Sequence, residues 1–575
     1  MSQYLYSLLR FRSFNRLTRY HTNHGKTNFV TNSLIKNEEL FDYIIVGGGS
    51  AGCVLASRLS ENPQNKVLLL EAGPVDNHLF IYVPAAFIKL FESPYAFNYY
   101  SEPQKQANNN KIFIPQGRVL GGSSSINAMA YIRGSAYDYD SWGFKTWRFD
   151  ECLKYFKKAE AQQRKKDEIK QDFHGFEGLW KIGDIHKPHQ LTQMVIKAVQ
   201  EEMKIPLTRD FNDEKYQKEG VGLIQVNIAG GKRQSISEAY LNESVLRRPN
   251  LFIRVNQQVN KIIIKDKIAQ GVECFQGKNV GNPGRIWASK EVILSSGVFN
   301  SPKLLMLSGI GPKETLNSKG IECLIDSADV GKNLQDHPLF SYVKYLKKPL
   351  SMDILNRFPY NALSLFQWLW TKNNDLSNAA EMAGNFKSAI ALQNNEPAPD
   401  LQITLIKCLY IDHGKQSQSG RYGYALGTML LKPKSKGSVT IRSKNILDPP
   451  IIDIGLFNDN DDFKRIFAGA KTIRKVIDGP LLSEVNDKDY LVPSEKALVD
   501  DEELEKDIRK NAQTLYHPTS TCAMGKVVDE KLRVMGMKGL RVVDGSVLPE
   551  LVRANTNAPI VMIAEKAADI IKEGD

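Results

Sequence analysis

The sequence has no apolar run that approaches the roughly 20 residues needed to cross a bilayer. Its six cysteines are scattered, without the Cys-x-x-Cys pairs or histidine-rich spacing of a metal site. Internal repeats, low-complexity linkers and basic stripes interleaved with aromatic residues are also missing. These absences argue against a membrane-spanning protein, a metalloprotein and a nucleic-acid-binding protein, and they leave peripheral contact as the membrane association to consider.

Acidic side chains are absent from the N-terminus until Glu38. Arginine and lysine alternate there with leucine and phenylalanine, beside several Ser, Thr and Asn. This acid-poor amphipathic pattern is typical of a transit peptide, so residues 1–37 are predicted to direct the protein to the mitochondrial matrix or inner-membrane surface. The alternative is a disordered basic arm. The same segment supplies much of the formal net charge of +12, which could favour docking on an anionic membrane.

The overall composition is that of a large globular protein. Hydrophobic residues make up 42% and charged residues 24% of the 575 residues, and neither value indicates extended disorder. A chain of this length is expected to form about two to four domains.

A short apolar run at residues 43–46 ends abruptly at three glycines. Gly47, Gly49 and Gly52 have GxGxxG spacing, the next residues have helical apolar spacing, and a second apolar run ends at Glu71. Glycines allow the backbone to approach a pyrophosphate, the helix N-terminus offers free amides, and an acid after the second strand accepts ribose hydroxyls. The order predicts a dinucleotide-binding βαβ unit rather than a glycine-rich turn, and it does not separate FAD from NAD.

Residues 117–127 (GRVLGGSSSIN) are too rich in small residues for a packed helix interior. Their amides, the hydroxyls of Ser123 and Ser124 and the amide of Asn127 could hold a flat polar ring or a phosphate. Apolar segments on both sides weaken the alternative of a flexible loop. We therefore predict that a ligand approaches this backbone closely.

These residues, with Arg133 and Gly134 after them, resemble the first signature of the glucose-methanol-choline (GMC) oxidoreductases. Further blocks resemble the family in the same order, from residue 42 to about residue 571. They are a second signature at 297–311, with Val298 where a smaller residue is usual, a third block at 330–338, the catalytic-histidine block at 516–525, and the segment that closes over the flavin at 540–571.

The resemblance implies an α/β protein, α+β overall, with a Rossmann-like FAD-binding domain and a discontinuous antiparallel-sheet substrate domain. The implied division gives 38–148, 220–345 and 505–575 to the FAD domain, and 149–219 and 346–504 to the substrate domain. Some family oxidases attach FAD through a histidine at the place of Ile126, so non-covalent FAD is expected here.

Motif positions imply the residues around FAD. The expected pyrophosphate and adenosine contacts are Gly47, Gly49, Gly52, Glu71 and Val259. The expected flavin and phosphate contacts are Arg118, Ser123, Ser124, Asn127, Asp544 and Ala558. Val259 could equally be a core strand residue.

Oxidation of an alcohol through a flavin requires a base beside the hydroxyl and a polar group that holds the developing alkoxide. The resemblance implies that His517 is the base. Asn557 is the implied partner, chosen over Asn555 by alignment, and it can hydrogen-bond the substrate oxygen. The alternative for His517 is a structural role.

Choline-oxidising members of the family are the most similar by these blocks, which implies oxidation of choline to betaine aldehyde with electrons passed to a quinone or another acceptor. Glu381 lies roughly where such members place an ammonium-binding acid, although a structural ion pair is an alternative. The alternative substrate is a medium-chain or aromatic primary alcohol. A lyase or photodecarboxylase on the same fold and a flavin-bearing scaffold without turnover are alternatives of another class.

Overall fold

A computed structural model describes residues 38–277, 283–414 and 420–574. The predicted transit peptide, residues 1–37, lies outside this range. Within it, no helix combines the length and apolarity needed to cross a bilayer. The same residues contain no cluster of three or more potential metal ligands.

A seven-stranded mixed sheet forms the first half of the fold. Its short strand at Val67–Leu70 is fully buried because both faces are covered, as apolar parallel strands require. Four neighbouring strands of the sheet are parallel, and a short fifth strand pairs in parallel with the last of them. Two antiparallel strands complete the sheet beyond that fourth strand. The order is Leu251–Arg254, Val67–Leu70, Glu39–Val46, Gly284–Leu294, Ile268–Gln276 and Gln257–Lys265, with Leu540–Val542 also beside Gly284–Leu294.

The predicted βαβ unit is present in this sheet. The strand Glu39–Val46 runs into the glycines, the helix Ser50–Leu59 follows, and Val67–Leu70 returns in parallel beside the first strand. The C-terminal helix Asn557–Glu573 packs against the helix Ser50–Leu59. The N-termini of these two helices meet through Ser50 and Asn557 at the carboxyl edge of the parallel strands, where α/β folds bind ligands.

A second sheet, in which every pair is antiparallel, forms the other half. Its order is Asn486–Val492, Pro338–Leu346, Gly423–Leu430, Leu401–Ile406, Met382–Phe386 and Gly220–Leu223, with Gln513–Thr514 also beside Pro338–Leu346. The helix Asn460–Asp478 covers one face of this sheet. On the strand Leu401–Ile406, the alternate residues Gln402 and Thr404 line a cavity.

The longer helices complete the framework. Those of ten residues or more are Ser50–Leu59, Phe149–Ala159, Gln190–Met203, Gly297–Leu307, Tyr360–Thr371, Asn460–Asp478, Asp501–Asn511 and Asn557–Glu573. The mixed α/β class with a Rossmann-like half and an antiparallel half confirms the predicted fold class.

The two sheets do not follow the predicted domain division at every point, and that division stays a prediction. Three strands assigned to the FAD domain belong to the antiparallel sheet: Gly220–Leu223, Pro338–Leu346 and Gln513–Thr514. Conversely, the helix Phe149–Ala159 was assigned to the substrate domain but packs against the C-terminal helix, with Phe149 and Phe156 in the core of the first sheet. The predicted division rests on where dinucleotide motifs occur, whereas the sheets are defined by strand pairing.

Candidate active site

Two adjoining cavities lie between the sheets. The larger has a volume of about 670 Å³ and the smaller about 150 Å³. Both are lined by Ser50, Ser123 and Tyr516, so the two spaces are neighbours. The smaller contains the glycine motif in its wall, and the larger contains His517.

A buried carboxylate holds the backbone at His517. Asp336 Oδ1 accepts hydrogen bonds from the backbone N–H of His337 and of His517, each at 2.8 Å. Burial raises the pKa of Asp336 to about 7, against the opposing effect of these hydrogen bonds. Tyr516 has φ 63°, a left-handed conformation that is uncommon for a large residue and often marks a functional site. The hydrogen bond to Asp336 and the left-handed conformation of Tyr516 together define the turn that carries His517.

A chain of hydrogen bonds determines which nitrogen of His517 carries the proton. His337 Nε2 lies 3.1 Å from the Leu431 carbonyl oxygen, which can only accept, so this nitrogen carries a proton. Burial lowers the pKa of His337 to about 3, so the ring is neutral and its Nδ1 has a free lone pair. His517 Nδ1 lies 2.9 Å from that atom and must donate to it. His517 Nε2 is therefore left with the lone pair that a base needs.

Two asparagines line the same cavity as His517, and the structure gives them different contacts. Asn555 Nδ2 donates to His517 Nε2 across 3.1 Å. Asn557 Oδ1 accepts from Ser50 Oγ at 2.7 Å, and its Nδ2 is buried without a partner among the described residues. Both line the larger cavity. The alignment favoured Asn557 over Asn555, whereas the geometry gives each a polar group at the site.

The smaller cavity is built to accept a phosphate-bearing group. Gly49 is the N-cap of the helix Ser50–Leu59, and no side chain caps its amides. A Cβ at Gly49 would come no closer than 3.9 Å to other protein atoms, so this space is open to a ligand. By contrast, a Cβ on Gly52 would meet the Gly47 carbonyl oxygen at 1.9 Å, so Gly52 allows the tight turn. This division of roles among the glycines fits a pyrophosphate at a helix N-terminus.

Three other predicted cofactor residues also line the smaller cavity: Glu71, Val259 and Asp544. Glu71 accepts hydrogen bonds from the N–H groups of Gly48 and Gly73, each at 2.7 Å. Burial raises its pKa to about 7, although those two hydrogen bonds act in the opposite direction. Glu71 therefore shapes the glycine turn as well as facing the cavity.

In the glycine- and serine-rich segment 117–127, some residues line the cavities and others hold the backbone in place. Ser123 lines both cavities, and Asn127 lines the larger one. Ser124 is fully buried, where it donates to the Gly121 carbonyl and accepts from the Ile236 N–H. Two other predicted cofactor residues, Arg118 and Ala558, are likewise absent from the lining of both cavities, and the Arg118 guanidinium donates to the Ala72 carbonyl.

Glu381 forms an internal ion pair. Its Oε1 binds Lys407 Nζ, and its Oε2 accepts from the His189 N–H at 3.0 Å and from the Thr192 hydroxyl at 2.5 Å. Lys407 lines the larger cavity and Glu381 does not. Burial lowers the pKa of Lys407, while the adjacent carboxylate raises it. Of the two roles considered for Glu381, these contacts favour the structural ion pair.

Sequence reasoning missed His337, Asp336 and Lys407. His337 lies in the 330–338 block that was recognised, and both His337 and His517 precede a proline. No spacing signal links them, because 180 residues separate the two rings that meet. Lys407 had no motif to mark it.

Known proteins resemble this chain along almost its whole length. Models of the family described as GMC oxidoreductase match residues 41–339 and 433–564. The alcohol dehydrogenase (acceptor) of Pseudomonas putida is 40% identical over 92% of this chain and 96% of its own length. The mitochondrial choline dehydrogenase of Homo sapiens is 36% identical over 93% of this chain and 90% of its own.

Solved structures agree with this relationship. A formate oxidase from Aspergillus oryzae superposes with a TM-score of 0.86 at 26% identity, covering 94% of this chain and 99% of the other. Pyridoxine 4-oxidase from Mesorbium loti gives 0.81 at 28% identity, covering 93% and 100%. The family and these neighbours are FAD-binding flavoenzymes, which confirms the predicted cofactor. The chain belongs to the GMC oxidoreductases, a family of FAD-dependent alcohol oxidoreductases.

Proposed function

We propose that this chain oxidises an uncharged, mainly apolar primary alcohol to its aldehyde. The observation that carries the proposal is the pairing of Glu381 with Lys407. Whichever partner holds the proton, the pair has no net charge to balance an ammonium group. Choline, which the sequence blocks favoured, would therefore meet no free carboxylate at this place.

The rest of the larger cavity supports the same substrate class. Among its described lining residues, Asp353 is the acidic side chain, and it is already occupied. Its carboxylate accepts from the Ser351 hydroxyl and from the N–H groups of Leu409 and Gly423. Most of the remaining lining is apolar, and its residues include Phe80, Phe87, Ile88, Leu355 and Leu365. Such a wall binds an alkyl or aromatic group by burial of apolar surface.

The chain's own residues supply the proton chemistry. His337 orients the lone pair of His517 Nε2, which accepts from Asn555 Nδ2 in the structure. An alcohol hydroxyl that displaces this contact gives its proton to Nε2. The free amide N–H of Asn557 and the amide of Asn555 can donate to the oxygen as its negative charge develops. A bound FAD would supply the acceptor for the hydride of the carbinol carbon. The backbone cradle at Gly49 would hold its pyrophosphate.

The electron acceptor and the location extend this proposal. We place the enzyme in mitochondria, with a quinone as acceptor, on the evidence of the acid-poor amphipathic segment at residues 1–37. The names of the two relatives, one an acceptor-dependent dehydrogenase and the other a mitochondrial one, support this choice. Reoxidation of the reduced protein by a soluble quinone, faster than by oxygen, is the expected result.

Substrate choice is tested by anaerobic bleaching of the flavin absorbance. We expect hexanol and benzyl alcohol to bleach the flavin with a kcat/KM at least about tenfold above that of choline, because choline would bury an ammonium group without a counter-charge. The double variant Glu381→Gln/Lys407→Met is the matched control, since it removes the pair but keeps the volumes similar. It should retain hexanol oxidation.

Rapid bleaching by choline, lost in that double variant, would overturn the substrate proposal. If bleaching by choline persisted in the double variant, the substrate proposal would also fail, and the aromatic side chains of Phe91, Tyr410 and Tyr516 in the lining would be the first candidates for cation–π contacts with choline. Absence of bleaching by every alcohol would instead favour a lyase or decarboxylase chemistry.

The pH dependence provides an independent check of the base. Burial, followed by the effect of neighbouring His337, lowers the pKa of His517 well below its ordinary value of 6.5. The neutral ring is the active form, so kcat/KM for hexanol should stay level as the pH falls through 6.5 and decline only at lower pH. Hexanol does not titrate, so the decline reports the free enzyme. Because Asp336, with a pKa of about 7, also holds the His517 backbone, Asp336→Asn is the control, and a decline centred at or above pH 6.5 that persists in it would contradict this assignment.

A further inference from the structure

The helix Tyr360–Thr371 carries large apolar side chains into solvent beside the substrate cavity. Trp370 is 85% exposed, Phe366 69% and Leu363 60%, and the preceding Phe358 is 80% exposed. With Tyr360, which is half exposed, these side chains present on the order of 700 Å² of surface, because a large aromatic residue accounts for roughly 150–250 Å². Patches on ordinary monomers are about 300–600 Å² and are often functional.

The exposed side chains share one side of a well-anchored helix. Leu363, Phe366 and Trp370 follow the i, i+3, i+7 spacing that places residues on one face. Trp368 points the other way, is fully buried, and donates its indole N–H to the Gly231 carbonyl at 3.1 Å. The exposure of the outer face therefore belongs to an ordered helix.

The surface around this helix is mainly cationic, since of the two acids that flank it Asp353 is buried and Asp375 is partly exposed. From residue 354 to residue 374 the chain has two charged side chains, Arg357 and Lys372, and no acidic one. Lys232, on the neighbouring turn, lies close enough to Lys372 to lower the pKa of that ammonium, an effect second to burial. Lys372 Nζ donates to the Trp368 and Leu369 carbonyls, and Arg357 donates to the Tyr422 hydroxyl, so these cations are held at the two ends of the helix. An apolar face between two cationic ends fits a surface that is anionic outside and apolar inside.

We propose that the helix Tyr360–Thr371, with Phe358, docks the enzyme on an anionic lipid bilayer. The helix has 12 residues and is about 18 Å long, too short to cross a hydrocarbon core of about 30 Å. It therefore lies in the plane of the interface, with the aromatic face in the acyl boundary and the cations at the headgroups.

The position of the cavity favours a bilayer over a second copy of the chain. Asn361, Ser364 and Leu365 of the same helix line the substrate cavity, and Asn361 is exposed, so the cavity reaches the surface beside the docking face. A symmetric dimer through this helix would bring the same cationic ends together and would cover that opening. On a bilayer, apolar alcohols dissolved in the lipid would instead enter directly. The inference deepens the proposed function in this respect, but lipid binding itself needs no turnover.

Sedimentation of the full-length holoenzyme with vesicles tests the proposal. Vesicles of phosphatidylcholine mixed with phosphatidylglycerol are the probe, and the variant is Phe366→Gln/Trp370→Gln. The matched control is Leu392→Gln/Val499→Gln, which removes side chains that are 57% and 90% exposed elsewhere. We expect the helix variant to lose about tenfold or more in vesicle affinity and the control to lose little. Residues 1–37 contribute equally in both, so the difference isolates the helix.

Two further measurements, hexanol oxidation and the quenching of tryptophan fluorescence, separate loss of lipid binding from misfolding. Both variants should oxidise water-soluble hexanol normally, which checks folding, since none of the four residues lines either cavity. Brominated lipids should quench the fluorescence of Trp370, and Trp370→Phe should remove that component of the quenching. Equal vesicle binding by the helix and control variants would overturn the proposal. So would a lipid-free dimer that the helix variant dissociates, because the face would then serve self-association.

Discussion

Replacement of His517 by glutamine is expected to lower kcat for alcohol oxidation by about 10²–10⁴-fold, the range that a positioned general base contributes. The reason is specific to Nε2, whose lone pair is fixed by the hydrogen bonds through His337 to the Leu431 carbonyl. Glutamine fills similar space but has no basic nitrogen. Anaerobic reduction of the flavin by hexanol, followed in a single turnover, measures the effect directly.

The FAD content separates a chemical defect from a structural one. His517 contacts His337 and Asn555 rather than the glycine cradle, so the variant should retain FAD and its thermal stability. His186→Gln is the matched control, because it makes the same exchange at an exposed histidine that lines neither cavity. If His517→Gln keeps normal single-turnover rates, the base must be another group and the proton transfer described above is wrong.

Local sequence patterns predicted the parts of the fold that are themselves local. The strand, glycines, helix, strand and acid from residue 43 to Glu71 appear in that order because each follows from short-range preferences. The family blocks likewise predicted the fold class, the FAD cofactor and the membership that the comparisons confirm. His517 stays the predicted base, now with a defined tautomer.

The remaining features depend on contacts between distant segments. His337 reaches His517 because the strand Pro338–Leu346 pairs with the short strand Gln513–Thr514 in the antiparallel sheet. No sequence motif predicts this pairing. Lys407 pairs with Glu381 because each lies just outside the end of one of two neighbouring strands of that sheet. Periodicity within a segment does not specify its partner strand.

A negative charge introduced at the glycine cradle, at Gly49, is the other change with a large expected effect, in this case on FAD binding. Gly49→Asp should weaken FAD binding by about 10³-fold, because the new side chain fills the space of the pyrophosphate and repels its negative charge. The protein itself should fold, since Gly49 has φ −74° at the N-cap of the helix Ser50–Leu59, a position that aspartate favours. The ratio of flavin to protein absorbance after purification, and titration with FAD, are the measurements.

Gly49→Asn separates charge from size. Asparagine has nearly the same shape and is an equally good N-cap, but it is neutral, so it should lose only about tenfold in FAD affinity by steric contact. If aspartate and asparagine weaken binding equally, the cradle excludes by volume alone. If aspartate leaves FAD bound, the pyrophosphate does not lie at the N-terminus of this helix. Either side chain can cap the amides of the helix, so the expected difference arises from charge: only aspartate places a negative charge beside the pyrophosphate.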